Sequence, residues 1–137
     1  MPERRCVVDT NVLVSRLLMP GGTPARALDH ALARGVLLLS TATLTELVDV
    51  LSRPEFDPYV SRHDREEFVR KLGGVARMVE IRWRDSACRD PRDDKFLHVA
   101  VNGEAETIIT GDADLLALHP FHCVRIVTPA DFLRDDG

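Results

Sequence analysis

Four acidic residues stand at positions in this sequence where carboxylates could act together. They are Asp9, Glu46, Asp94 and Asp112. Three of them follow short apolar runs that are typical of buried strands, and Asp94 begins a largely apolar run that is typical of a buried helix. Clustered buried carboxylates repel one another and raise each other's pKa values, and a divalent cation removes that penalty. Because oxygen-only ligands select hard ions, the pattern predicts a site for Mg²⁺ or Mn²⁺.

Helix capping is the alternative explanation for each of these acids. Asp9 and Asp112 would each cap the helix that follows, and Glu46 would complete a capping box begun by Thr43. A carboxylate in the first turn of a helix is also favoured by the helix dipole. Taken singly, the acids are therefore explained as well by capping as by metal binding, and only their combination favours a metal site.

The acidic run at residues 90–94 needs a separate assignment. Asp90 and Asp93 on either side of Pro91 are interpreted as a capping pair, which leaves Asp94 without a capping role. Since Asp94 starts the apolar run, we expect its side chain to face inward and prefer it to Asp93 as a ligand. At the last position Asp112 is preferred, and Asp114 remains an alternative.

Alternating strand and helix patterns supply the framework that would position these acids. Strands are predicted at residues 6–8, 36–39, 78–83, 107–110 and 124–127. Helices are predicted at residues 11–18, 24–34, 43–52, 62–75, 90–102, 112–118 and 128–131. The alternation predicts the α/β class, a three-layer α/β/α sandwich around a mostly parallel central sheet, in a single domain over residues 1–137. In such sheets ligands bind beyond the carboxyl ends of the strands, where the acids lie.

Composition bounds the function without deciding it. The chain has 137 residues, 18 basic against 22 acidic, and a net charge of −4, whereas nucleic-acid binders are usually basic. If four carboxylates bind metal, the remaining acids and bases are equal in number. No apolar run is long enough to span a bilayer, and the N-terminal apolar run is too short for a signal peptide, so we expect a cytoplasmic protein without a membrane association. Cys6, Cys88 and Cys123 form no Cys-x-x-Cys pair and are expected to be small buried thiols.

Four segments in order resemble the PIN-domain nuclease family, of the kind that act as VapC-like toxins of toxin–antitoxin pairs. The segments are Val7-Val8-Asp9-Thr10-Asn11-Val12-Leu13, Thr43-Leu44-Thr45-Glu46-Leu47-Val48-Asp49-Val50-Leu51, Asp90-Pro91-Arg92-Asp93-Asp94-Lys95-Phe96-Leu97 and Ile108-Ile109-Thr110-Gly111-Asp112-Ala113-Asp114-Leu115-Leu116. Each segment alone is a weak motif, but four in the right order over nearly the whole chain are specific.

The resemblance implies an enzyme, a metal-dependent endoribonuclease that cleaves single-stranded RNA. It implies metal binding and catalysis by Asp9, Glu46, Asp94 and Asp112, with Mg²⁺ or Mn²⁺ as cofactor. Further residues are expected to orient these acids by hydrogen bonds, or to stand beside them: Thr10, Asn11, Thr110 and Asp114. The resemblance also implies an antitoxin protein as partner and a homodimer.

Substrate contact is expected from basic side chains around the acids. The candidates are Arg16, Arg53, Arg62, Arg65, Arg70, Lys71 and Lys95. Aromatic residues make up only 5% of the chain, which is thin for a base-stacking platform, so recognition is expected to rest on phosphate contacts and RNA shape. The five histidines are scattered and are expected on solvated loops and helix faces.

Two other functions remain open at this point. One is an Asp-dependent phosphotransfer domain, phosphatase-like or receiver-like, in which Asp9 would accept a phosphoryl group. The phosphatase pattern wants a second Asp two residues later, where this chain has Asn11. The other is a non-catalytic module that binds RNA or protein, against which the complete set of four acids argues.

Overall fold

The computed structural model describes residues 4–136, which alternate between strands and helices as the sequence predicts. The strands are β1 (Arg4–Val8), β2 (Gly35–Leu39), β3 (Arg77–Met78), β4 (Thr107–Ile109) and β5 (Arg125–Val127). The helices are α1 (Thr10–Leu18), α2 (Thr23–Arg34), α3 (Thr41–Leu51), α4 (Arg62–Val75), α5 (Asp94–Asn102), α6 (Ala113–Leu116) and α7 (Pro129–Asp136). Short 3-10 helices cover Pro54–Phe56 and Pro91–Asp93.

The five strands form one parallel sheet in the order β3-β2-β1-β4-β5. In the centre, Val7 of β1 is level with Ile108 of β4, and Val8 is level with Ile109. After β1 the chain forms β2 and β3 on one side of that strand, and it later forms β4 and β5 on the other side. A cleft opens at such a switch point beyond the carboxyl ends of the strands.

Alternate side chains of each strand enter two separate cores. Val8, Leu39 and Ile109 pack under α1, α2, α3, α4 and α7. The neighbouring Val7, Leu38 and Ile108 pack on the opposite face, under α5 and α6. Because successive side chains of a strand point to opposite faces, a sheet covered on both sides needs continuous apolar runs. The predicted three-layer α/β/α sandwich with a parallel sheet is confirmed.

Several predicted boundaries differ from the structure, and two of the differences have a clear local cause. The strand expected over residues 78–83 is limited to β3, because its partner β2 ends at Leu39, whose carbonyl accepts the last hydrogen bond from Val79 (2.7 Å). Helix α3 begins at Thr41 rather than at Thr43. Ser40 and Thr43 cap each other reciprocally, so the capping box closes without Glu46.

The thiols differ in their surroundings. Cys6 is buried in the first core, Cys88 is half-buried, and Cys123 is exposed, so the expectation of three buried thiols is wrong for Cys123. None of the three forms a disulfide among the residues that the structure describes. No helix between residues 4 and 136 is long and apolar enough to cross a membrane.

Candidate active site

Asp9 lies at the carboxyl end of the central strand β1 and is only 5% exposed. Its Oδ1 accepts a hydrogen bond from the Val12 amide (2.9 Å), which makes it the N-cap of α1. Its Oδ2 accepts a hydrogen bond from the Thr110 hydroxyl. Capping and site formation are therefore not alternatives here, because capping is what fixes this carboxylate at the sheet edge.

Thr110 connects Asp9 to the acid on the neighbouring strand. Its side chain is fully buried, and its hydroxyl donates to Asp9 while accepting from the Asp112 amide (3.0 Å). Asp112 in turn caps the short helix α6 by accepting from the Leu115 amide (3.0 Å). One hydroxyl thus sets the relative position of two carboxylates that come from adjacent strands.

Glu46 reaches the same place from the second turn of α3. Its Oε2 accepts from the Thr10 hydroxyl, and its Oε1 accepts from the Lys95 ammonium group at 2.7 Å. The Glu46 and Lys95 side chains are both about three-quarters buried, at 26% and 21% exposure. The ion pair joins α3 to α5 across the carboxyl edge of the sheet and neutralises one of the acids.

A small cavity of about 180 Å³ collects these side chains. Its acidic lining consists of Asp9, Glu46, Asp93 and Asp112. Thr10, Asn11 and Arg53 add polar groups, and Val50 and Phe96 are its apolar members. Four carboxylates from four different segments therefore share one opening at the switch point of the sheet.

Asp93, rather than Asp94, is the acid of the 90–94 run that lines the cavity. Asp90 caps the turn before it, by accepting from the Arg92 amide (2.9 Å), as the sequence predicts. Asp93 stands at the N-cap position of α5, but its side chain accepts no capping hydrogen bond. The interpretation of Asp93 as half of a capping pair is therefore wrong, and its carboxylate remains available at the cavity.

Asp94 is buried, as expected, but serves the loop before it. Its Oδ1 accepts hydrogen bonds from the amides of Ala87 (3.2 Å) and Cys88 (2.7 Å), and it does not line the cavity. Burial raises the pKa of this carboxyl, but the Cys88 and Ala87 donors outweigh burial and hold the pKa below its ordinary value. Adjacent residues point in different directions at the start of a helix, and here Asp93 is the one that faces the other acids.

The pKa values of two carboxylates of the cavity, Asp93 and Asp9, are raised. Burial, followed by the charges of Asp112, Asp90 and Glu46, raises the pKa of Asp93 to about 6. Burial also raises the pKa of Asp9, and Asp112 adds to the effect, against the hydrogen bonds from Thr110 and Val12. A positive charge placed among them would relieve this repulsion.

The donor set of the cavity fits a hard divalent cation, since its acidic ligands offer oxygen only. Within residues 4–136, however, no group of three or more His, Cys, Asp or Glu side chains is arranged closely enough to hold a metal as it stands. Asp9 and Glu46 are instead engaged with Thr110, Thr10 and Lys95. Binding of a cation therefore requires side chains such as Glu46 to exchange protein donors for the ion.

The remaining candidates divide between the cavity and other surfaces. Asn11, Arg53 and Lys95 lie at the site, whereas Asp114 does not line it. Arg16 pairs with Asp29 at 2.9 Å. The other basic candidates line grooves beside α4: Arg62, Arg65, Arg70 and Lys71. The sequence favoured Asp94 over Asp93, and the signal that could have favoured Asp93 is Pro91, which begins a separate turn before α5.

Known proteins share this sequence pattern and this fold. A family model described as PIN domain matches residues 5–114. The uncharacterized protein MJ1680 of Methanocaldococcus jannaschii is 28% identical over 142 residues, which cover 96% of this chain and 90% of that protein.

Two solved structures superimpose on the fold. VapBC2 from Rickettsia felis, bound to a DNA fragment from its promoter, matches with a TM-score of 0.62 and 10% identity, over 90% of this chain and 98% of that chain. VapC20 of Mycobacterium tuberculosis, a sarcin–ricin loop cleaving toxin, matches with a TM-score of 0.55 and 16% identity, over 88% of this chain and 98% of that chain. At these identities the likeness concerns the fold.

Proposed function

This chain belongs to the PIN-domain nuclease family, and we propose that it is a metal-dependent endoribonuclease that cleaves single-stranded RNA as the toxin of a toxin–antitoxin pair. The observation that carries the proposal is the set of four carboxylates around one cavity at the carboxyl edge of a parallel sheet. The resemblance to the fold of VapC20, whose substrate is named, is consistent with it.

We assign the cation, Mg²⁺ or Mn²⁺, to Asp9, Glu46, Asp93 and Asp112. Bound there, it would supply Lewis-acid activation of the scissile phosphodiester and of the attacking water. Asp93 takes the place that the sequence assigned to Asp94, because Asp93 shares the cavity and its elevated pKa has a neighbouring negative charge among its causes.

The other polar residues of the site position these acids. The Thr110 hydroxyl bonds both the Asp9 carboxylate and the Asp112 amide. The carboxylates of Asp9 and Asp112 are therefore already positioned before substrate binds. Thr10 does the same for Glu46. Lys95 offsets the charge of Glu46 in the free protein and so limits the repulsion that the folded chain bears without a cation.

Substrate contact falls to Arg53 and Asn11 at the cavity rim. The Arg53 guanidinium lies 3.9 Å from Glu55, and both side chains are more than half exposed, so this pair is weak and Arg53 can turn to a phosphate. Arginine presents a planar fork of donors that matches a phosphate in two-point contact. The apolar side chains of Val50 and Phe96 would exclude water from one side of the scissile group.

The protein partners are proposed from the shared fold. The fold is shared with VapBC2, a toxin–antitoxin complex, and we assign to this chain an antitoxin protein and a homodimer in the cytoplasm. Two grooves of about 370 and 540 Å³ beside α4 expose the apolar side chains Val48, Tyr59 and Val75. We propose these grooves as the surface for contact with a protein partner.

Cleavage of a 5′-labelled single-stranded RNA pool tests the function. We expect products with Mn²⁺ or Mg²⁺ and none in EDTA, and loss of cleavage in Asp93→Asn but not in Asp94→Asn, provided that each variant is assayed below its melting temperature. A protein that cleaves RNA equally well in EDTA would contradict the proposal. Trapping of a phosphoryl mimic such as beryllofluoride on Asp9, with no cleavage, would instead support the phosphotransfer alternative.

A further inference from the structure

Four rings meet on the surface beside α5, and we call them the ring cluster: Trp83, His98, Phe121 and His122. Trp83 is at the centre, with its ring centroid 5.0 Å from that of His122, 6.1 Å from that of His98 and 6.2 Å from that of Phe121. His122 is exposed, and Trp83 and Phe121 are half-buried. The cluster therefore presents ring surface to solvent.

The backbone holds these rings in place independently of their stacking. The Asn102 side chain accepts from the Trp83 amide (2.9 Å) and donates to the Trp83 carbonyl (2.8 Å). On the other side, a turn closed by Phe121 and Val124 carries His122 with a φ of 48°. Non-glycine residues adopt that region at a cost, so the turn maintains a ring position that the chain would not adopt freely.

The segment 82–88 connects the ring cluster to the catalytic cavity along one side of α5. It is bonded to Asn102 at residue 83, to His98 at residue 85 and to Asp94 at residue 88. Asp94 adjoins Asp93 at the cavity, and His98 lies four residues further along α5, about 6 Å by the rise of a helix. A single strand that follows this side of α5 would thus run from the ring cluster towards the cavity.

Two exposed arginines, Arg84 and Arg89, flank this path. Arg82 is bonded to Glu80 (3.0 Å) and Arg92 to Asp90 (2.9 Å). Among the residues that the structure describes, neither Arg84 nor Arg89 pairs with a carboxylate, and both are exposed. Asp85 is the acid on the same stretch, and its side chain accepts from the Ser86 amide (2.8 Å).

We propose that the ring cluster is a base-stacking subsite for single-stranded RNA, with Arg84 and Arg89 holding the adjoining phosphates and leading the strand to the cavity. The inference rests on the proposed ribonuclease function and deepens it. Aromatic rings beside a line of arginines bind unpaired bases without sequence preference, because every base has a stacking face. The exposed Arg84 and Arg89 place positive charge beside the rings, which complements a phosphate backbone and favours RNA as the occupant.

Trp83 is the only tryptophan in the chain, so its fluorescence reports the subsite directly. The experiment titrates the full-length Asp9→Asn variant, which keeps the RNA intact, with a 12-nucleotide single-stranded RNA. We expect saturable quenching, much weaker quenching by the same sequence as a duplex, and an affinity about tenfold lower after Arg84→Gln with Arg89→Gln. The control is Arg134→Gln, an exposed arginine on α7 across the sheet that pairs with Asp131, and this variant should bind RNA as the parent does.

Cleavage kinetics give a second measurement. Base stacking on an aromatic ring is worth roughly 5- to 150-fold in affinity. We expect Trp83→Ala to raise KM about tenfold with kcat unchanged, and Trp83→Phe to restore most of the loss. Because Asn102 holds the backbone at residue 83, Trp83→Ala should keep the fold.

The two proposals fail in different ways. Quenching by single-stranded RNA in a protein that cleaves none would support the subsite and reject the nuclease. Cleavage with no quenching, or with an unchanged KM in Trp83→Ala, would overturn the subsite and leave the nuclease intact. Fluorescence that responds to a partner protein but to no RNA would also overturn the subsite.

Discussion

Opposite effects on stability are expected when each of the adjacent acids Asp93 and Asp94 is changed to asparagine. Asp93 sits among other carboxylates, whereas Asp94 accepts two backbone amides. Asp93→Asn should therefore stabilise the cation-free protein at pH 7.5, and Asp94→Asn should destabilise it. The two changes are chemically identical and one residue apart, so each is the control for the other.

The gain in Asp93→Asn follows from its pKa. A pKa of about 6 instead of 3.8 corresponds to about 3 kcal/mol, at 1.36 kcal/mol for each pH unit. Because the carboxyl is only half-buried, solvent screens much of this, and we take about 1 kcal/mol as the net gain. For Asp94→Asn, two charge-assisted bonds become neutral ones, which costs about 2 kcal/mol.

The pH dependence of the gain has a definite sign. Below about pH 4 the Asp93 carboxyl is protonated in both the folded and the unfolded chain, so its charge does not lower the free energy of unfolding. Between about pH 4 and 6 the folded protein keeps a proton that the unfolded chain has lost, so stability falls as the pH rises. The advantage of Asp93→Asn should therefore appear over this interval and be complete above it.

Urea unfolding in EDTA at pH 4.5, 6 and 7.5 measures these differences. We expect Asp93→Asn to gain on the wild type as the pH rises, while Asp94→Asn is less stable at pH 6 and 7.5. With Mn²⁺ added, the wild type should gain stability and Asp93→Asn should gain less, because a ligand is missing. If Asp93→Asn is the less stable of the two at pH 7.5, the assignment of the two carboxylates is refuted.

Two further substitutions test how the site and the loop behind it are held. Thr110→Val removes the hydroxyl that donates to buried Asp9 and accepts from the Asp112 amide, and it should lower the free energy of unfolding by about 2 kcal/mol. Thr110→Ser retains the hydroxyl and should retain most of the stability. Equal urea midpoints for the two variants would contradict this role. Arg65→Met removes the buried donor to the Leu51 carbonyl (2.8 Å), and it should lower the free energy of unfolding by about 1–3 kcal/mol. It should also speed proteolysis between residues 52 and 60, and a digestion rate equal to that of the wild type would argue against this role of Arg65.

The alternation of strands and helices, and the layers on both faces of the sheet, could be predicted because each depends on local patterns. A continuous apolar run at residues 36–39 indicated a strand covered on both faces, and the structure has β2 there with alternate side chains in different cores. The extent of β3 could not be predicted in this way. Its length is set by where β2 ends, which is a property of the partner strand and not of residues 78–83.

The choice between Asp93 and Asp94 shows a similar limit at the site. Both residues precede the same buried helix, and burial alone favoured Asp94, which is indeed buried. Two features separate them. The turn Pro91–Asp93 precedes the helix, and residues 87 and 88 lie against the helix start, where their amides donate hydrogen bonds to the Asp94 carboxylate. That contact links segments whose spacing carries no periodic signal.

The ring cluster could not be predicted from the sequence. Low aromatic content argued against a stacking surface, but content says nothing about position. Trp83 and His122 are brought together by two loops on either side of α5, one held by Asn102 and the other by the turn at Phe121. Few aromatic residues suffice when loops from distant parts of the chain gather them.

Single-turnover cleavage of single-stranded RNA by wild type and Asp9→Asn, each with saturating Mn²⁺, tests the central claim most directly. Asp9→Asn keeps the shape of the side chain and an acceptor for the Val12 amide, so the fold should persist while the charge at the centre of the carboxylate cavity is lost. We expect the cleavage rate to fall about a thousandfold, the equivalent of about 4 kcal/mol of lost electrostatic stabilisation. An Asp9→Asn protein that cleaves at the wild-type rate would contradict the carboxylate centre as the site of reaction.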